Sequence, residues 1–336
     1  MGTAAQSANT PLLKIDDITT SFFTKRGVLN AVSGVTIDIP KEKTVGIVGE
    51  SGCGKSMTAM SVMGLVEEPG KVVSGSILFN GMDLTKLRKK EIRKITGDKI
   101  AMIFQEPMTS LNPVLTVGRQ VREAIMLHQN VSRQEAKQRV LDIFREVGIS
   151  DAEKRYNSYP HQLSGGLRQR VMIGMAMVCQ PELLIADEPT TALDVTIEAQ
   201  ILDLMKKLQR ENKMSIMLIT HNLGVVAEVC DMVYVMYAGK VMEYTDVYEL
   251  FQNTLHPYTE GLIRSVPKLN AKPEERLYNI EGMVPDLLHL PKGCRFCDRC
   301  EKACPRCFEE EPELVQVKEN HFVRCFLYGE EGNRDV

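Results

Sequence analysis

The 336-residue chain contains no stretch of eighteen or more apolar residues, so no segment of it is expected to cross a bilayer. Met1 to Thr10 is small and polar, without the apolar core of a signal peptide, and the protein is expected to stay in the cytosol. Net charge is only -3, so nothing global points to nucleic acid as a partner. The densest basic stretch, Lys86 to Lys94, reads as a solvated helix face. No internal repeat is visible. Cysteine is sparse in the first 250 residues, where Cys53, Cys179 and Cys230 are scattered. Six more crowd between 294 and 325, and in a reducing compartment such a cluster points to a metal site rather than to disulfides. What is present is ordinary for a globular protein, with 43% apolar and 25% charged residues, and the length suits two structural units.

Leu12 to Phe23 and Val35 to Ile39 read as strands. Thr44 to Val48 is a short β-rich apolar run, as a buried strand requires, and it leads through a glycine loop into a helical stretch, Met57 to Leu65. Ser76 to Phe79 and Ile100 to Phe104 are further strands. From Pro107 to Gln180 the character is helical. Ser132 with Glu135 is a capping-box start; Ala136, Val140, Leu141, Phe144 and Val147 follow at helical spacing, and Gly148 is the stop. Leu183 to Ala186 and Ser215 to Ile219 return to strand, and Val233 to Tyr237 with Val241 to Tyr244 form a hairpin turned at Gly239. After about Asn253 proline and glycine become frequent and the fold signal fades. The expected fold is an α/β core interrupted by a helical insert.

Three runs carry chemistry. Gly49-Glu50-Ser51-Gly52-Cys53-Gly54-Lys55-Ser56 fits GxxxxGK[ST], between a strand and a helix as that motif requires. Its glycines let backbone N–H groups turn inward around phosphate oxygens, and the following helix, from Met57, adds its dipole. Lys55 is placed for the β- and γ-phosphates of ATP and Ser56 for Mg2+. Cys53 reads as a small residue tolerated at a free loop position. Leu183 to Glu188 is an apolar strand ending in two carboxylates, which are costly there unless they act at the strand edge. Asp187 is placed for Mg2+ and Glu188 to polarise an attacking water. The third run, Leu163 to Arg170, sets Ser164, Gly165 and Gly166 at a helix mouth, a second anion-facing turn. One nucleotide needs one phosphate loop, so this turn predicts ATP held by a second subunit; an ordinary capped helix start is the plainer alternative. Gln105, after the strand at 100–104, could reach both Mg2+ and the helical insert. His221 ends a strand where it could bond a γ-phosphate, and Asp194 could bridge a dimer interface or simply cap a helix.

In this order the runs resemble the nucleotide-binding subunit of an ABC transporter: Walker A (49–56), Q-loop (Gln105), signature (163–167), Walker B (183–188), D-loop (192–194) and H-loop (His221). The resemblance implies a P-loop NTPase core with an N-terminal antiparallel β subdomain, and Phe22 as the aromatic that stacks on adenine. It implies domains at 1–10 (a tail), 11–252 (the cassette, insert about 107–180) and 253–336. It also implies a head-to-tail dimer in which each ATP lies between Walker A of one subunit and the signature of the other.

The tail extends the resemblance. His256-Pro257-Tyr258-Thr259, Pro267, Gly282, Leu290-Pro291, Gly293-Cys294, Phe296 and Arg299-Cys300 are similar to the segment that follows the cassette in oligopeptide, dipeptide and nickel importers. Cys294, Cys297, Cys300 and Cys304 alone have ferredoxin-run spacing. The family pattern instead implies Cys294, Cys300, Cys307 and Cys325 around a 4Fe–4S cluster; four thiolates also suit Zn2+. A structural staple is the expected role, a redox sensor the alternative. The resemblance implies an ATPase driving peptide uptake, with a nickel-chelate importer or a soluble ABC ATPase as alternatives. Its expected partners are a paralogous second ATPase, two permease subunits and, through them, an extracytoplasmic substrate-binding protein. Its expected place is peripheral, on the cytoplasmic face of the membrane.

Overall fold

A computed structural model describes residues 10–106, 110–191, 193–266 and 278–328. Most of the expected N-terminal tail, Pro107 at the start of the insert, Ala192 of the D-loop and Pro267 lie outside the described residues. The first half of the chain runs β1 (Leu13–Thr24), β2 (Gly27–Ile39), β3 (Thr44–Val48), α1 (Lys55–Met63), β4 (Gly70–Phe79), β5 (Met82–Asp83), α2 (Lys89–Ile95), β6 (Ile100–Ile103), α3 (Val117–His128), α4 (Arg133–Glu146) and α5 (Ala152–Tyr156). It continues α6 (Gly165–Met177), β7 (Leu183–Asp187), α7 (Val195–Asn212), β8 (Ser215–Thr220), α8 (Leu223–Val229), β9 (Met232–Tyr237), β10 (Lys240–Asp246), α9 (Val247–Gln252), α10 (Pro257–Arg264), α11 (Pro305–Glu309), β11 (Val315–Lys318) and β12 (His321–Val323). None of these helices is long and apolar enough to cross a membrane. The residues gather into two compact units.

Among the described residues, one unit comprises 10–12, 39–43 and those of 86–218. β6 and β7 pair in parallel, Ile100 opposite Leu183 and Ile103 opposite Ala186. All five residues of β7 are buried, which explains its unbroken apolar run: a strand covered on both faces needs no alternation. In α4, Ser132 Oγ accepts the Glu135 N–H, and Ala136, Val140, Leu141 and Phe144 form a buried face. The helix stops where Gly148 turns to a φ of 76°. Gly118 lets α3 approach α5, since a Cβ there would lie 2.3 Å from the Tyr156 ring.

Among the described residues, the other unit comprises 13–38, 44–85, 219–266 and 278–328. Its first sheet is antiparallel, in the order β2-β1-β4-β5. Its second places β3 parallel to β9, Val45 opposite Met232 and Val48 opposite Val235. β9 and β10 make the expected hairpin, turned at Ala238 and Gly239 with φ of 45° and 85°. Beyond Asn253 the fold does not fade: β12 pairs with β10 (Glu243 opposite Val323) and β11 with β12, so the C-terminal residues add two strands to this sheet. The β11–β12 connection turns at Asn320, φ 57°, without glycine or proline to mark it.

Candidate functional site

The phosphate loop runs from the end of β3 to the start of α1. Its shape depends on glycine at both ends. A Cβ on Gly49 (φ 151°) would lie 2.1 Å from the Met236 carbonyl oxygen, and one on Gly54 (φ 101°) 2.4 Å from that of Ala31. Gly54 caps α1 with no side-chain acceptor, and no acidic residue occupies the first turn. The helix mouth therefore suits an external anion. Lys55 is buried, and its ammonium donates to the carbonyl oxygens of Gly49 (2.7 Å) and Glu50 (3.1 Å). A cation held by its own loop's carbonyls, beside donors without side-chain acceptors, fits a phosphate ligand. The Cys53 thiol is fully buried, and burial pushes its pKa up against the pull of Lys55, which keeps it unreactive.

Phe22 lies opposite Gly70 on β4 and covers it; a Cβ on Gly70 would meet the Phe22 ring at 2.6 Å. Phe23 is the more exposed of the two, with the Lys71 ammonium 4.8 Å from its ring centre. His221 follows β8 and is exposed.

In the other unit, β7 delivers Asp187 buried at its end and Glu188 directly after it. Glu188 has a φ of 47°, a left-handed conformation that a non-glycine residue adopts at a cost. The structure brings Gln105 to it: Gln105 Nε2 donates to Glu188 Oε2 at 2.8 Å, and Thr191 Oγ1 donates to the same oxygen at 2.9 Å. Ser164 caps α6, its Oγ accepting the Leu167 N–H at 3.4 Å. Asp194 likewise caps α7, accepting from the Ile197 N–H at 3.0 Å. Within the single chain both residues thus make the plain helix-cap interaction. Gln169, in the buried face of α6, donates to the carbonyl oxygen of Pro189 just after the acidic pair. The sequence carries no signal for Thr191 or Gln169 beyond their position in these runs.

All six C-terminal cysteines line one cavity of about 60 Å3, together with His256, Phe296 and Phe326. Burial pushes the Cys294 thiol up to about 12 and those of Cys297 and Cys325 up to about 11. Among the described residues, however, no group of three or more Cys, His, Asp or Glu side chains could hold one metal ion. A zinc ion needs its ligands converged at about 2.0–2.3 Å; Cys304 and Cys307 Sγ come within 3.5 Å of one another, but among the described residues no third side chain of these types completes a group with them. This overturns the 4Fe–4S assignment and its ligand set of Cys294, Cys300, Cys307 and Cys325, and the Zn2+ alternative with it.

Other bonds fix this region. Arg295 donates to the Ala238 carbonyl and to Ser33 Oγ, and Arg324 to the carbonyls of Val241 and Pro312. Phe296 packs against Tyr237, Tyr258 and His256. Glu243, fully buried, accepts the N–H groups of Leu255 and His256 and is 2.8 Å from His321 Nε2. His256 is also fully buried, and burial pulls its pKa from the ordinary 6.5 to about 4. With the folded pKa depressed, the unfolded chain binds a proton that the folded chain refuses as pH falls from 6.5 to 4. Stability is therefore expected to decline across that window by about 3 kcal/mol from this group. His256→Gln should flatten this acid limb in urea-unfolding midpoints; an unchanged slope would remove His256 as its cause.

The fold and the loop define an ATP-binding cassette. Residues 32–191 match the ABC transporter family model, and residues 242–307 match the oligopeptide/dipeptide transporter C-terminal region. The oligopeptide transport ATP-binding protein AppD of Bacillus subtilis (strain 168) is 52% identical over 96% of this chain and 98% of its own. The dipeptide transport ATP-binding protein DppD of the same organism is 48% identical over 97% of each chain. Among solved structures, the dimeric bacterial ABC transporter cassette MJ0796 superposes with a TM-score of 0.63 at 28% identity, covering 70% of this chain and 98% of that one. The chain belongs to the ABC transporter family, among the ATP-binding proteins that carry the oligopeptide/dipeptide C-terminal region.

Proposed function

We propose that this chain is the ATP-hydrolysing subunit that powers uptake of di- or oligopeptides through a membrane importer. The observation that carries the reading is near-full-length identity of about half to ATP-binding proteins named for oligopeptide and dipeptide transport, continuous through the C-terminal region. The antiparallel sheet β2-β1-β4-β5 serves as the β subdomain, the helices of 107–180 as the insert that meets the permeases, and 253–336 as the importer-type extension.

Lys55 and the N–H groups of Gly52 to Met57 would hold the ATP phosphates, with Ser56, Asp187 and Gln105 around Mg2+. When bound, Mg2+ would neutralise charge developing on the phosphates. Glu188 orients and polarises the attacking water; Gln105 and Thr191 hold its carboxylate, and its left-handed backbone aims it. His221 bonds the γ-phosphate and Phe22 stacks on adenine. Ser164, Gly165, Gly166 and Asp194 face the ATP of a second, paralogous subunit. Their present cap interactions leave the helix-mouth N–H groups of Gly165 and Gly166 for that role. The pair sits on the cytoplasmic face of the membrane, bound to two permeases that receive peptide from a substrate-binding protein.

Purification from detergent-solubilised membranes tests this reading. Two permeases and a second ATPase are expected to accompany the tagged chain, and vesicles holding the complex should take up a labelled peptide only with ATP. A chain recovered alone from the soluble fraction would overturn it.

A further inference from the structure

Arg299 lies in the cysteine-rich region, between Cys297 and Cys300, yet its side chain is 5% exposed and points its guanidinium at the phosphate loop. Nη1 donates to Glu50 Oε2 at 2.6 Å and Nη2 to Glu50 Oε1 at 3.0 Å, a two-pronged pair on the second residue of the loop. The remaining donors are fastened too. Nε donates to the Glu281 carbonyl at 3.0 Å, Nη2 also to that of Ile280 at 3.2 Å, and Nη1 to the Tyr237 hydroxyl at 3.3 Å. The guanidinium carbon lies within 6 Å of the Tyr237 and Phe296 ring centres. From the same region the Tyr258 hydroxyl accepts the Glu50 N–H at 2.9 Å. Glu50 is thus gripped at its carboxylate and at its backbone by residues some 200 to 250 positions later.

We propose that Arg299 is a positioning residue of the ATP site: through Glu50 it holds the phosphate loop in the shape that binds nucleotide, making the C-terminal region a working part of that site. The inference rests on reading 49–56 as the loop that receives ATP. The physical case is preorganisation. Gly49, Gly52 and Gly54 all have positive φ, and glycine surrenders more backbone freedom than any other residue when fixed. A loop of this composition binds tightly only if that ordering is completed before the ligand arrives. A planar, permanently charged guanidinium with two bonds to one carboxylate fixes both position and orientation, which a lysine would not. It also accounts for a carboxylate in an anion-binding loop: Arg299 neutralises Glu50 and turns it toward itself, so the acid does not oppose phosphate.

The test measures amide hydrogen exchange of residues 49–54 in nucleotide-free full-length protein, and the Kd for MgATP by calorimetry, in R299Q, R299K, E50Q and the E50Q/R299Q double variant. R299Q and E50Q are each expected to speed loop exchange and to raise Kd about tenfold. R299K should recover part of both, and the double variant should be no worse than either single change, as for two ends of one interaction. Unchanged loop exchange in E50Q and R299Q, or additive losses in the double variant, would overturn the proposal. If R299Q does not fold, E50Q alone decides it, because Glu50 is the more exposed member of the pair. K55A separates the two readings. Unchanged MgATP affinity there would refute the phosphate-loop assignment itself, whatever Arg299 does.

Discussion

Glu188→Gln is expected to leave MgATP binding within about threefold of the parent protein and to lower ATP turnover by at least 10^2-fold, the usual scale for loss of a positioned general base. The substitution suits the question because it preserves shape. Glutamine keeps an oxygen to accept from Gln105 Nε2 and Thr191 Oγ1, so the left-handed turn at residue 188 and the strand before it should persist. What it removes is the negative charge that the proposed role of Glu188, polarising the attacking water, depends on. Phosphate release by the assembled transporter, alongside calorimetric binding, measures the two quantities separately. Robust turnover in the variant would assign the base to another group.

Glu243→Ala should produce the largest loss of stability, about 3–5 kcal/mol, because removing one member of a fully buried polar cluster strands the others. The carboxylate accepts two consecutive backbone N–H groups, those of Leu255 and His256, at the junction where the chain leaves β10 and α9 for the C-terminal region. It also bonds His321, which sits on β12. One side chain thereby ties the cassette's last hairpin to both ends of the extension. Urea unfolding should show the loss, and proteolysis should cut first within β11 and β12. A change below about 1 kcal/mol would mean that packing around Phe296, not this cluster, secures the extension.

The cassette was legible because its chemistry requires fixed residue types at fixed spacing. A glycine loop between an apolar strand and a helix, and an apolar strand ending in Asp187-Glu188, each follow from local physics. The helix at 133–146 was legible for the same reason, since its cap, its apolar face and its stop are all short-range. The extension was not. Its order comes from contacts between distant residues, such as Arg299 with Glu50 and His321 with Glu243, which leave no periodic trace. Strands β11 and β12 are four and three residues long and are joined without a glycine turn. The cysteines misled in a particular way, through their crowding and the family pattern that implied the cluster. Spacing constrains which thiols can approach one another along the chain, but not whether their side chains converge, and here they line a cavity instead.

The unit that holds the phosphate loop is interrupted in sequence by the longest segment of the other unit, residues 86–218. Strand β3 emerges early from the ribosome, but its neighbour β9 and the loop's braces Tyr258 and Arg299 are made near the end, 208 and 249 residues after Glu50. At a synthesis rate of about 5–20 residues per second, the loop waits roughly 10–50 seconds for them. Such long-range closure is intrinsically late in folding. A nascent or truncated cassette therefore has its lysine and glycines long before it has a finished nucleotide pocket, and the last-made segment decides when it can begin to consume ATP.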